Sequence, residues 1–256
     1  MPRFRRLVWA YYRKHGRDEL PWRKTKDPYK ILVSEIMLQQ TQVERVLPFY
    51  TKFIKRFPTA KKLAVAPLAD VLKTWQGLGY NRRAKMLHQA AKELNMRRSD
   101  LPMSVAEMEK LPGVGSYTAR AVAAFAFNQD VILIETNIRT AVIHHFFPKK
   151  KKVSDKKIEK ILVQALPRGK AREWYSALMD YGAHLKRSGI SHNAKSKTYA
   201  KQSKFAGSLR EARGAILREY TKGVTSRARL TNLLGPSRKV QMQKALVALI
   251  KEGLIT

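Results

Sequence analysis

The sequence predicts an all-α protein, and three observations predict it. Apolar residues recur at three- and four-residue spacing through nearly every segment, which is the period of one helix face. One β-branched run, Val131-Ile132-Leu133-Ile134, has the composition of a strand. Candidate caps and breakers (Pro, Ser, Thr, Gly) stand where the periodic segments begin and end.

Taken in order, residues 4–14 read as a basic amphipathic helix and residues 17–27, with Leu20-Pro21-Trp22-Arg23, as a loop. Pro28 opens the next helix, where a first-turn proline forfeits no needed N–H. In it Ile31, Leu32, Ile36 and Leu38 surround Glu35, and Ile31 and Leu38 share its face. A carboxyl group on an apolar face resists ionisation, which is how a Glu holds a proton near neutral pH. A solvated helix Glu is the plain alternative. Thr41-Gln42-Val43-Glu44 fits a capping box, and Pro48 is expected to kink or shorten the helix that follows. Further helices are expected over residues 67–76, ended by Gly77-Leu78-Gly79, over 81–94, carrying Arg82, Arg83 and Lys85, over the short 105–110, and over 116–127.

Residues 131–134 read as a strand or a buried extended segment, and 137–147 as a helix. Lys149-Lys150-Lys151-Lys152 is a charged loop, Ser154 caps a helix to about residue 166, and 172–185 closes this block. Residues 187–204 are polar, basic and aperiodic, an ordered loop or a linker. The pattern then changes to three short helices, 208–220, 226–234 and 237–252, with Leu254-Ile255-Thr256 as the start of a strand. That order is winged-helix-like. It suits an accessory DNA-binding unit with residues 237–244 as the probe helix, and equally a small packing module.

Composition narrows the partners. The 256 residues carry 52 Lys+Arg against 19 Asp+Glu, a formal net charge of +33. Such a field draws polyanions, nucleic acid first, with affinity that falls steeply with salt. The longest apolar run, Ala121-Val122-Ala123-Ala124-Phe125-Ala126-Phe127, is too short to cross a bilayer. The basic N-terminus lacks an apolar stretch of signal-peptide type, so a cytoplasmic protein is expected. There is no Cys, which excludes disulfides, a thiol nucleophile and Cys-ligated zinc or iron–sulfur. No His pair has metal-ligand spacing, since His144 and His145 are adjacent and face different sides of their helix.

Leu111-Pro112-Gly113-Val114-Gly115 lies between two helices. Two glycines one residue apart permit a tight turn with φ > 0, and the N–H groups opening the next helix make an anion site. In so basic a chain the anion is expected to be a DNA phosphate.

The run from Leu111 through Ala119 resembles the hairpin of helix-hairpin-helix DNA glycosylases. With it, Leu20-Pro21-Trp22-Arg23, Ser34-Glu35-Ile36-Met37-Leu38-Gln39-Gln40-Thr41-Gln42-Val43 and Gly77-Leu78-Gly79-Tyr80 resemble the MutY-type adenine DNA glycosylases, in the same order, over roughly residues 5–186. The resemblance implies a two-lobed core. Residues 1–27 and 135–204 would form one lobe and 28–134 the helical barrel lobe with the hairpin. Residues 205–256 would be a small appended unit, too short for that family's large C-terminal lesion-sensing domain.

It also implies roles. Glu35 would protonate the purine ring and activate water. Glu135, where the family has Asp, would stabilise the oxocarbenium-like sugar, in the two-carboxylate logic of glycoside hydrolysis. Asn137 would position sugar or water, and Tyr117 would hydrogen-bond near the carboxylates. Tyr117 stands where bifunctional relatives carry a Schiff-base Lys, so a monofunctional enzyme is implied; a structural tyrosine is the alternative. Gln40 would fill the gap left by an extruded base.

Trp22 and Arg23 would line the base pocket, unless they are a core Trp and a solvated Arg. Leu38, Tyr80, Arg82, Gly113, Val114, Gly115 and Arg139 would face DNA. Asn81 replaces a wedge Tyr, and Ser176 stands where the family has Gln or Glu at the adenine edge. The four cluster cysteines would fall on Lys186, Asn193, Ser196 and Gln202, so no iron–sulfur cluster is expected. An alkali ion on the hairpin carbonyls is common in such folds.

The implied activity is release of adenine opposite 8-oxoguanine or guanine, by a monomer acting on mismatched or oxidised duplex DNA. A thymine or uracil mismatch glycosylase and a non-catalytic DNA-structure-binding protein remain as alternatives.

Overall fold

A computed structural model describes residues 1–97, 101–196 and 204–255. The all-α expectation holds. The described residues form α1 (Pro2–His15), α2 (Pro28–Leu38), α3 (Val43–Arg56), α4 (Ala60–Ala64), α5 (Leu68–Trp75), α6 (Arg82–Met96) and α7 (Val105–Glu109). There follow α8 (Ser116–Phe127), α9 (Thr136–Phe146), α10 (Asp155–Ala165), α11 (Ala171–Arg187), α12 (Leu209–Tyr220), α13 (Arg227–Thr231) and α14 (Lys239–Lys251). Among them no strand occurs, and the isolated bridge is Val153 to Ser196.

The chain divides into two compact units. The first is Met1–Leu32, Pro102–Lys110 and Val114–Lys201; the second is Val33–Leu101, Leu111–Gly113 and Gln202–Thr256. These lines differ from the expected grouping of 28–134: residues 114–134 cluster with the terminal segments, and the C-terminal helices cluster with 33–101.

The first unit is built on α11, which packs against α9, α1 and α8. Its core holds Val8, Leu133, Ile138, Val142, Trp174, Tyr175 and Leu178 with almost no exposure. Gly182 lets α11 approach α9, since a Cβ there would lie 2.1 Å from the Asn137 carbonyl oxygen. The β-branched run at 131–134 is non-helical and joins no sheet. The Tyr175 hydroxyl supplies what a partner strand would have supplied: it accepts from the Leu133 N–H at 3.2 Å and donates to the Val131 carbonyl at 2.8 Å. Burial pushes that phenol up to about 12.

In the second unit α6 packs on α4 and α5, and α3 on α5, around Phe53, Trp75, Leu63 and Leu87. α12, α13 and α14 pack together over Ile216, Leu230, Met242, Leu246 and Leu249. Two local expectations, the Thr41 cap and the C-terminal strand, are corrected here, and Pro48 is found not to shorten its helix. Thr41 does not cap α3: Gln42 is the N-cap, without a side-chain bond, because the Thr41 hydroxyl donates to the Gln39 carbonyl and accepts from Arg83. α3 runs through Pro48. That proline is exposed, so the Glu44 carbonyl it leaves without an N–H can turn to water. Leu254 and Ile255 are buried but form no strand, so the trio has the helices of a winged helix and, among the described residues, no wing.

Candidate functional site

α2 carries the candidate acid. Residues 31–37 are all buried, so this helix is apolar on every side, as a core helix must be. Glu35 retains 6% exposure and Ser34 none. The helix ends at Leu38, and the chain turns at Gln39 and Gln40. Gln40 is exposed, with φ 55°. Tyr80 also lies in the left-handed region, at 51°. A non-glycine residue held there costs about 1–3 kcal/mol, and persists only where its surroundings over-determine it.

Arg83 is what over-determines both turns. It sits in the first turn of α6 and donates to the Ile36 and Met37 carbonyls at 2.9 Å each and to the Gln39 carbonyl. It also reaches the Thr41 hydroxyl at 3.3 Å and the Gly79 carbonyl at 3.2 Å. The orphan carbonyls that end α2 thus find one planar donor fork. The guanidinium lies 5.6 Å from the Trp75 ring and 5.1 Å from the Tyr80 ring. Burial pushes its pKa down to about 10. Arg83 was visible in the sequence only as one of several cations on α6; no local pattern signals carbonyl acceptors more than forty residues away.

The second unit holds Glu35, Leu38, Gln40, Tyr80, Asn81, Arg82 and Gly113 together. Asn81 is the N-cap of α6, without a side-chain capping bond, and Arg82 is exposed. In the hairpin only one of the two glycines uses positive φ: Gly113 at 78°, against −86° at Gly115, the N-cap of α8. Gly113 also packs on α6, where a Cβ would lie 2.5 Å from the Met86 Cβ. Val114 is buried and Gly115 exposed, so the N-terminus of α8 offers backbone N–H groups at the surface.

The first unit holds Trp22, Arg23, Tyr117, Glu135, Asn137, Arg139 and Ser176. Glu135 is the N-cap of α9, and one carboxylate oxygen accepts from the Asn137 and Ile138 N–H groups at 2.7 Å each. The other accepts from the Thr136 hydroxyl at 3.1 Å. The charge is thereby locked at the positive end of a helix dipole. Tyr117, in the first turn of α8, is half-buried.

Several residues read as DNA or base contacts are engaged within the protein. The Arg139 guanidinium forms a two-pronged pair with Asp155, at 2.9 and 2.7 Å, and ties α9 to α10. Trp22 is buried. Arg23 grips Asp180 at 2.6 and 2.9 Å, joined by Arg17 at 2.6 Å. Burial alone would raise the Asp180 pKa, but the Arg23 and Arg17 guanidiniums outweigh it and leave the carboxyl below its ordinary value. The Ser176 hydroxyl, buried, donates to the Arg172 carbonyl at 2.9 Å. Arg172 itself bonds the Phe125, Arg23 and Thr25 carbonyls at 2.6–2.7 Å. Asp180, Arg172 and Gly182 are the residues that sequence reasoning missed in this unit.

The positions where cluster cysteines would fall do not fit an iron–sulfur group. Lys186, at the end of α11, is half-buried, and burial pushes its pKa down while the Glu135 charge pulls it back up. Asn193 lies in a single 3-10 turn and Ser196 is buried; Gln202 lies outside the described residues. The loop is instead fastened to residues 148–153. The Val153 N–H bonds the Lys195 carbonyl at 2.9 Å, Lys152 the Ala194 carbonyl and Lys195 the Pro148 carbonyl, each at 2.8 Å. Among the described residues no group of three or more His, Asp or Glu could hold a metal ion, and no helix is long and apolar enough to cross a membrane.

Known proteins resemble this chain in sequence and fold. Residues 33–168 match the model of the HhH-GPD superfamily base excision DNA repair proteins. An adenine DNA glycosylase of Mycolicibacterium smegmatis is 37% identical over 264 residues, covering 94% of this chain and 89% of its own length. One from Buchnera aphidicola subsp. Baizongia pistaciae is 40% identical over 185 residues, covering 70% of this chain. The chain spans about half the length of that relative, 52%. A solved structure of a thermostable thymine-DNA glycosylase superposes with a TM-score of 0.61 at 26% identity, over 71% of this chain and 87% of that one. The chain belongs to the HhH-GPD superfamily of base excision DNA repair proteins and, within it, sides with the adenine DNA glycosylases.

Proposed function

We propose that this chain is a monofunctional DNA glycosylase that removes adenine mispaired with 8-oxoguanine or guanine. The observation that carries the reading is the buried Glu35 on α2, continuous with the exposed Gln40 turn, in a chain similar to adenine DNA glycosylases over 94% of its length. The Glu35 carboxyl donates its proton to a ring nitrogen of the extruded adenine. The bond from C1′ to the base nitrogen breaks, its electron pair leaving with the base. Water adds to the oxocarbenium-like C1′ and returns a proton to Glu35. Glu135, held by helix N–H groups, is suited to supply a fixed negative charge to that sugar; Asn137 positions it. Tyr117 has no amine for an imine, so the product is an intact strand with an abasic site.

Gln40 occupies the gap in the duplex, and the hairpin amides at Gly113, Val114 and Gly115 take a phosphate, with an alkali ion on its carbonyls. The protein acts as a monomer in a bacterial-type cytoplasm, and no cluster is involved. A thymine or uracil mismatch glycosylase is the second reading, favoured by the likeness to the thymine-DNA glycosylase structure and by Asn81 and Ser176.

Single-turnover base release decides between them on duplexes with adenine opposite 8-oxoguanine, adenine opposite guanine, and thymine or uracil opposite guanine. The proposal expects adenine release, with scission only after alkali. Release of thymine or uracil alone selects the second reading, and tight binding without release from any duplex rejects both.

A further inference from the structure

Within the second unit the C-terminal helices reach residues 80–85. Arg210, the second residue of α12, donates to the Tyr80 hydroxyl at 3.0 Å, and its guanidinium lies 5.5 Å from the centre of that ring. The Arg83 guanidinium bears on the same ring at 5.1 Å. Five residues on, the Lys85 ammonium bonds the Glu252 carbonyl, and the Glu252 carboxylate holds Arg213 of α12 at 2.9 and 2.6 Å. Tyr80 and Lys85 bracket Asn81 and exposed Arg82. Among the described residues Arg82 enters no ion pair, and being exposed it offers its positive charge to a polyanion.

A packing module would need only apolar surface. This one instead places a guanidinium on a residue in the left-handed region. Tyr80, in turn, touches the arginine that ends α2 and holds the Gln39–Gln40 turn. We propose that residues 204–255 are a specificity element: Arg210 seats Tyr80, and Tyr80 with Arg83 sets both turns, so this unit governs how well the chain distinguishes mispaired from matched duplex DNA. Arg210 and Arg83 are positioning residues, not catalytic ones. The proposal rests on the reading of the chain as a mispair-directed DNA glycosylase.

Two measurements on the full chain test it. The first is amide hydrogen exchange without DNA. Arg210→Ala is expected to speed exchange at residues 77–83 and 39–41 by about tenfold, and Lys251→Ala, which removes an exposed cation of the same unit, to leave it unchanged. The second is the ratio of dissociation constants for matched duplex and duplex with adenine opposite 8-oxoguanine, in a Glu35→Gln background so that no base is lost. Arg210→Ala is expected to lower that ratio about tenfold. Arg210→Lys keeps the charge without the planar stack, and is expected to retain matched-duplex affinity and lose the ratio. Unchanged exchange, an unchanged ratio, or an equal fall in Lys251→Ala overturns the proposal. If the parent chain itself fails to discriminate, the glycosylase reading and the specificity claim fall together. Discrimination by the parent that survives Arg210→Ala overturns the specificity claim alone.

Discussion

Two glutamates illustrate two ways of holding an acidic side chain. Glu135 is fastened by the backbone: two N–H groups and a neighbouring hydroxyl fix it at the N-terminus of α9, and α9 is braced by α11 through a contact with room only for Gly182. Glu35 is held by burial in a helix, and the end of that helix, with the strained turn beyond it, is held by one side chain, Arg83. The first arrangement suits a charge that must not move. The second suits the acid role proposed for Glu35, beside the turn proposed to meet DNA. Where rigidity comes from the backbone, substitution costs stability; where it comes from one side chain, substitution costs function.

That contrast can be broken in four ways. Glu35→Gln keeps shape and burial but has no proton to give, and base release should fall by about 10²–10⁴-fold with little change in melting temperature. Single-turnover rates near wild type would remove Glu35 from the mechanism. Gly182→Ala should do the reverse, destabilising the fold by about 3 kcal/mol as the methyl group meets the Asn137 carbonyl; denaturant unfolding reads it. Glu135→Ala should cost both, about 1 kcal/mol from the lost cap together with a slower single-turnover rate. Glu135→Gln, which still accepts the N–H bonds, should restore most of the stability and not the rate.

The smallest effect is that of pH. Burial, with the neighbouring His144, pushes the His145 pKa down, so below the ordinary histidine value the unfolded chain takes up a proton that the folded one resists. Stability should therefore be full above about pH 6.5 and decline as pH falls. The depressed Asp180 pKa acts in a lower window. Its contribution is present above the ordinary aspartate value and is lost as pH falls through the lowered one. Urea midpoints from pH 8 to 3 should show the two declines separately, and His145→Phe should reduce the upper one, to which His88 and His192, also pushed down by burial, contribute.

The architecture was legible because it is periodic. The helix over Glu35, the hairpin glycine at 113 and nearly every helix boundary follow from local spacing and caps. Of the candidate site, the motif runs around Glu35 and the hairpin were legible as local structure, and the chemistry assigned to them is the proposal above. What stayed hidden is tertiary. Arg23 reads as a solvated or pocket-lining cation until Asp180, 157 positions away, is found beside it. Arg139 reads as a DNA contact until Asp155 takes it. Gly182 inside a helix reads as a weakness, although it is what permits α9 and α11 to touch. The Thr41 capping box fails because Arg83, a distant donor, outcompetes the local one. Val131 to Ile134 fits a strand by composition, and the Tyr175 hydroxyl, with the Arg120 guanidinium on the Ile132 carbonyl, satisfies it without one.

The loop that stands in the place of a metal cluster has a consequence for how the protein comes into being. It is closed by lysine-to-carbonyl bonds and one backbone bridge, all available as soon as the chain has been made. With no cysteine anywhere in the sequence, its closure calls on no thiolate-held cluster.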